Sequence, residues 1–138
     1  MTTPDPVPPA QRITPCNLAR IAEGEAGGAS IWGSESAARQ AQVHVMWVVM
    51  NRLRHRAYAP PYDALSDFYG AELIEQPDAK TIQLALGVLY ADPKDDPTGG
   101  CLFVLSQQDR IKLGVRDGDL ILIGKGPFSL HLFRNWPG

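Results

Sequence analysis

The sequence predicts an α+β domain, with helices in the first two thirds and short strands near the C-terminus. Apolar residues recur at helical spacing between residues 14 and 91. After residue 100 that period gives way to short runs of Leu, Ile, Val and Phe, separated by turn signals at Asp117-Gly118 and at Gly124–Pro127. The size fits one core: 138 residues, 44% hydrophobic and 20% charged, describe a single ordinary domain. Helices first and strands afterwards make an α+β arrangement.

The elements follow in order. Pro4, Pro6, Pro8 and Pro9 keep residues 1–12 from forming a helix, and a flexible, polyproline-like tail is expected there, leaving 13–138 as the domain. Thr14 is placed to cap a first helix whose first position is Pro15. Leu18, Ile21, Ala22 and then Glu25 share its stripe, and Gly24, Gly27 and Gly28 close it. Residues 29–35 read as a loop. Ser34 or Ser36 opens a second helix running to about Arg56, apolar on nearly every face from Val43 to Met50 and therefore buried. Tyr58–Gln76 is a long connection with one short helix. A third helix over about 78–91 shows Ile82, Ala85, Leu86 and Leu89 on one face. Strands are expected at Cys101–Ser106, Asp119–Gly124 and Phe128–Arg134.

Composition excludes several classes. Thirteen Lys and Arg against 15 Asp and Glu leave a net charge of −2, without the basic footprint of a nucleic-acid binder. The longest apolar run, Val45–Met50, falls far short of the roughly 20 residues of a membrane-spanning helix. Cys16 and Cys101 stand alone, outside any Cys/His cluster. His44 and His55 lie eleven residues apart, about 16 Å along a helix, so they cannot share a metal ion. No metal site and no cofactor is expected. The start of the chain lacks the basic and apolar stretches of a secretory signal.

Glu25 is the first candidate for chemistry. A carboxyl on an apolar stripe is desolvated, which raises its pKa, and the negative end of the helix dipole pushes the same way. Such a group stays protonated near neutral pH, as a proton donor to a glycosidic oxygen must. The pattern alone leaves open that Glu25 is a solvated residue at a fraying helix end.

The run Leu18-Ala19-Arg20-Ile21-Ala22-Glu23-Gly24-Glu25-Ala26-Gly27-Gly28 resembles the opening motif of the SleB-type, spore-cortex-lytic cell-wall hydrolases. In that family a helix ending in Gly-Glu-Ala is followed by a small-residue loop and a long helix finishing in Asn-Arg. The second helix here ends Trp47-Val48-Val49-Met50-Asn51-Arg52. Asp96-Pro97-Thr98-Gly99-Gly100-Cys101-Leu102-Phe103 is similar to the family's Asp-Pro-Thr-Gly-Ala segment, and His131-Leu132-Phe133 falls where the family has His-x-Phe. Together these motifs cover 18–133. The chain departs in having Gly27-Gly28-Ala29 where the family continues Arg-Gly-Glu, and Arg134 where it has an aromatic residue.

The resemblance implies a lysozyme-like domain that cuts peptidoglycan glycan strands, with Glu25 as acid and base. Its first expected activity is that of a lytic transglycosylase, which needs one carboxyl and no metal. A hydrolytic muramidase is the alternative and needs a second carboxyl. Glu23, Glu35 and Asp96 are the candidates, and no spacing selects among them. A catalytically silent glycan-binding or structural domain of the same fold is the third reading, kept alive by the altered Gly27-Gly28-Ala29 loop. Acting at the bacterial wall without an export signal would suit a phage lysin released through a holin, an excised domain, or an unusual route. The protein is expected to act as a monomer whose partner is the glycan strand.

The remaining candidates are weighed residue by residue. Asn51 is expected to hold the loop after Glu25 or to orient the glutamate, with structural support favoured over direct catalysis. Arg52 reads most simply as a surface ion pair worth little. Thr98 and Gly99 suggest a tight turn beside the groove leading to Phe103, with Ser106 and His131 as further lining. A satisfied strand histidine is the alternative for His131. Trp32, Trp47, Trp136, Tyr58, Tyr62 and Tyr69 supply aromatic rings able to stack on sugars. Trp47 reads as core, and Trp32, in the loop after Glu25, as the sugar platform.

Overall fold

The computed structural model describes residues 7–138. Of the proline-rich segment at 1–12, residues 1–6 lie outside the described residues. The rest of it is anchored rather than a free tail. Pro9–Gln11 forms a 3₁₀ turn, and the Arg12 guanidinium donates to the carbonyls of Leu53 (2.7 Å), Tyr58 (2.7 Å) and Tyr62 (3.3 Å). Three carbonyls converging on one cation outweigh the extended preference of the prolines.

Helix α1 (Pro15–Ala26) begins as the sequence predicts, with the Thr14 hydroxyl accepting from the Asn17 N–H and Pro15 at the first position. Gly27 terminates it, donating its N–H to the Glu23 carbonyl. Gly24 is not part of that ending. It lies inside α1, where the backbone of Gly70 crosses so closely that a Cβ would meet the Gly70 carbonyl at 2.2 Å. A Cβ on Gly70 would likewise meet the Gly24 carbonyl at 2.6 Å, so two glycines let two backbones touch.

The expected loop at 29–35 contains one helical turn, α2 (Ala29–Trp32). Helix α3 (Glu35–Arg54) is capped by Ser34, whose hydroxyl accepts from the Ala37 N–H. Its stretch Val45–Met50 is buried throughout, as its apolar composition requires. The connection after it holds a 3₁₀ turn (Arg56–Tyr58), a short helix α4 (Ala64–Asp67) and a second 3₁₀ segment (Tyr69–Leu73). Helix α5 (Ala79–Leu89) is capped by Asp78 and packs on α1 and α3. Its buried stripe is Thr81, Ala85, Val88 and Leu89, so Leu86 points outward and Ile82 is only partly covered. The hydroxyl of Thr81 takes part in placing the stripe, because it accepts from Arg39 of α3.

Strand β1 (Phe103–Ser106) leads into a helix the sequence did not signal, α6 (Gln107–Leu113), capped by Ser106. Strands β2 (Leu120–Ile123) and β3 (Ser129–Phe133) follow. The sheet is antiparallel in the order β1-β3-β2, with Val104 opposite Leu132 and Leu122 opposite Leu130. The central strand carries the buried side chains Leu130 and Leu132 to the core beside α1 and α3, and Phe133 is buried on the opposite face, stacked on His131. Among the described residues, no helix is long and apolar enough to cross a membrane.

The Gly24–Gly70 crossing gives a direct test. Gly24→Ala should lower the unfolding free energy by about 3 kcal/mol, because neither backbone can retreat without repacking α1. Gly87→Ala, on an α5 surface where a Cβ meets nothing within 4 Å, should instead add about 0.5–1 kcal/mol. Urea denaturation of both variants measures the contrast.

Candidate active site

The stripe of Leu18, Ile21 and Ala22 buries one face of α1, and Glu25 continues that face at the last turn. There the helix runs out of core and opens on a cleft of about 410 Å³. The carboxyl is half-buried, and the Gly70 N–H points at its Oε1 from 3.4 Å. Burial pushes its pKa above the usual glutamate range. The Gly70 N–H and the Arg52 cation pull it back in part, while Asp109 adds to the rise.

Arg52 lies in the same cleft, and its role is the reverse of a surface ion pair. It is 8% exposed. Its guanidinium donates to Asp67 Oδ2 at 2.6 Å, to the Tyr62 hydroxyl at 3.2 Å and to the Leu102 carbonyl. It also lies over the rings of Phe68 (4.5 Å) and Phe103 (5.1 Å). The Tyr62 hydroxyl donates to the same Asp67 oxygen at 2.9 Å. Burial pushes Tyr62 up to about 12 despite the opposing pull of Arg52, which keeps it a donor. Helix α3 thus ends in a cation whose charge is engaged by Asp67 beside the protonatable Glu25.

Asn51, one residue earlier, turns to another task. Its Nδ2 donates to Asp96 Oδ2 (2.9 Å), Thr98 Oγ1 (3.3 Å) and the Cys101 carbonyl (3.0 Å). It therefore pins the turn that feeds β1 and neither holds the loop after Glu25 nor bonds the glutamate. Asp96 is the hub of that turn, accepting from the Thr98 N–H and hydroxyl and from the Gly100 N–H. Burial raises the Asp96 pKa, but these hydrogen bonds together outweigh it and leave the carboxyl below its ordinary range. Thr98 is buried within the turn, and the Gly99 carbonyl accepts from Arg134 Nε at 3.1 Å. Both residues shape the approach to Phe103 without lining the cleft themselves.

The other expected lining residues lie elsewhere. His131 is buried, its Nδ1 accepting from the Gly118 N–H (3.0 Å) and its Nε2 donating to Gln107 Oε1 (2.6 Å). Acceptance at Nδ1 needs the neutral ring, and burial, reinforced by Arg110, pushes its pKa down. Ser106 caps α6 and borders a separate shallow pocket with Phe128 and Ile111. Trp32 is 8% exposed, its indole N–H donates to the Ala26 carbonyl at 2.7 Å, and its ring packs edge-on against Phe128. It is core, with no face free for a sugar. Of the motif residues expected to line the site around Glu25, Phe103 is the one the fold brings to the cleft.

Tyr58, Tyr69 and Trp136, three of the rings the sequence offers for stacking on sugars, also line the cleft, and Asp67 joins them without having been a candidate. Asp67 and Tyr69 come from the 58–76 connection, and Trp136 from the C-terminal segment. No local signal marks Asp67, whose position depends on the Arg52 contact made 15 residues away. The second-carboxyl candidates Glu23 and Glu35 border a different groove with Asp78 and Arg39, and Asp96 is consumed by its turn. Among the described residues, no group of three or more His, Cys, Asp or Glu is placed to hold a metal ion. No protein-family model, no curated protein and no solved structure matches the chain.

The raised Glu25 pKa fixes a sign. An acid whose folded pKa lies above its unfolded value stabilises the fold below the ordinary glutamate range, and this contribution is lost as pH rises through the folded value. Glu25→Gln should therefore melt higher than wild type at pH 7, the gap closing toward about pH 4; thermal melts across that range measure it. Arg52→Ala should cost about 3 kcal/mol, since it strands the Leu102 carbonyl and removes the stacking over two rings. Chemical denaturation reads that loss.

Proposed function

We propose that the protein cleaves peptidoglycan glycan strands as a lytic transglycosylase, with Glu25 as the single acid and base in a lysozyme-like domain. The observation that carries the reading is a desolvated carboxyl, with its pKa raised, in an open cleft walled by aromatic side chains. Protonated Glu25 gives its proton to the glycosidic oxygen between N-acetylmuramic acid and N-acetylglucosamine as the bond to the anomeric carbon breaks. The carboxylate then takes the proton of the muramyl 6-hydroxyl, whose oxygen bonds to that carbon. No water is consumed, and the strand ends in a 1,6-anhydro sugar. The Arg52 cation, which favours the ionised form of Glu25, steadies the carboxylate between the two proton transfers.

One observation favours hydrolysis instead: Asp67 lines the same cleft and is a second carboxylate of the kind a muramidase uses. Its Oδ2 is held by Arg52 and Tyr62, which supports a structural role and leaves the one-carboxyl mechanism in front. With a net charge of −2, a strong electrostatic grip on an anionic wall is not the means of binding. Groove shape and sugar contacts carry it.

Digestion of purified peptidoglycan with mass spectrometry of the products separates the readings. Anhydromuramyl ends are expected from wild type, and Glu25→Gln should lower the release rate about 10²–10⁴-fold. Reducing ends that vanish in Asp67→Asn would make the protein a muramidase. Absence of muropeptide release by wild type would leave glycan binding without catalysis.

A further inference from the structure

The C-terminal segment brings Trp136, rather than the expected Trp32, to the cleft of Glu25. Of the three tryptophans, Trp32 and Trp47 are 8% and 3% exposed, whereas Trp136 is 52% exposed. It is not a stray surface side chain, because it lines the cleft that holds Glu25. Its ring is braced edge-on against Phe103, with centroids 5.5 Å apart and planes at 65°. Phe103 in turn lies beneath the Arg52 guanidinium at 5.1 Å. A stacked series of cation, phenyl and indole therefore fixes the ring in place and leaves part of it open to the cleft. Tyr69, 76% exposed, lines the same cleft.

Charge narrows what such a ring meets. Among the described residues, the one cation lining the cleft, Arg52, is engaged by Asp67, Tyr62 and the Leu102 carbonyl. The other charged groups there, Glu25 and Asp67, are carboxyls. An anionic stem peptide or lactyl carboxylate finds no free partner on these walls. The C–H face of a neutral pyranose does, because it can lie on an aromatic ring and bury apolar area at little ordering cost. The Trp136 indole N–H makes no hydrogen bond among the described residues, which leaves a donor for an acetamide or hydroxyl oxygen.

We infer that Trp136 is the stacking platform for a neutral N-acetylhexosamine ring of the glycan, so that the cleft reads the sugar backbone rather than the peptide. This rests on the glycan-cleaving reading for its substrate class and on the Trp136–Phe103–Arg52 geometry for its location. Chitohexaose, an oligosaccharide of N-acetylglucosamine without lactyl or peptide groups, is the probe. Its binding to the Glu25→Gln protein is followed by calorimetry and by tryptophan emission with iodide quenching.

Saturation should shift the emission to the blue and protect it from iodide, because Trp136 is the exposed indole. Adding Trp136→Ala should weaken chitohexaose binding about tenfold, equivalent to about 1.4 kcal/mol, and abolish the spectral change. Trp136→Phe should stay within about threefold of the parent. Equal binding by the alanine variant, binding without an emission change, or no binding at millimolar sugar would each overturn the platform. The two readings fail separately. Sugar binding through Trp136 without muropeptide release by wild type would refute cleavage and keep the platform. Cleavage with an unchanged KM in Trp136→Ala would keep cleavage and refute the platform.

Discussion

The charge at the end of α3 is the point on which the molecule turns. Arg52 leaves the buried Val45–Met50 stretch and places a cation where helix, sheet and connecting segment meet. It bonds the carbonyl of Leu102 just before β1, the carboxylate of Asp67 at the end of α4, and the hydroxyl of Tyr62. It also packs against Phe68 on one segment and Phe103 on another. A buried charge is tolerable only when its donors are met and a counter-charge is at hand, so three stretches of chain have to arrive together. Their meeting makes the cleft. Glu25 lies beside this cluster and inherits its environment, dry enough to resist ionisation yet near a cation that tempers the resistance.

What could be read from the chain follows physical range. Caps at Thr14 and at Ser34, one of the two serines the sequence offers, depend on hydrogen bonds spanning three residues, which residue type and spacing can show. The desolvation of Glu25 was legible because the helical period carries a buried face forward by simple arithmetic. Helix α6 escaped notice because it has no buried side chains: Ile111 and Leu113 point outward, and its hold on the fold comes from the Ser106 cap and from Arg110 reaching the Val115 carbonyl. On α5, Leu86 misled the choice of face because Thr81 carries a hydroxyl that Arg39 satisfies, allowing a polar residue to take a core position.

The candidate site shows the same division more sharply. Position along the chain favoured Trp32 as a sugar contact because it follows Glu25 closely, yet a one-turn helix folds its ring back under the Ala26 carbonyl. Arg52 looked like an ordinary surface cation because nothing nearby in sequence says what will cover it. Its partners lie 10, 15 and 50 residues away, and such contacts exist only once the chain has folded. The motif residues Asn51 and Thr98 do meet, but as a brace for the strand entering the sheet rather than as hands on a substrate.

That brace also responds to pH. Asp96 gathers hydrogen bonds that favour its ionised form, so the turn into β1 loses part of its stability as acid protonates it below the ordinary carboxylate range. Glu25 is the opposite kind of carboxyl, holding its proton above that range. Acid therefore weakens the turn at Asp96, whereas it puts Glu25 in the form its half-buried setting favours. The same carboxyl chemistry is thus biased in opposite directions by its surroundings, one side chain by the hydrogen bonds it accepts and the other by the water it lacks.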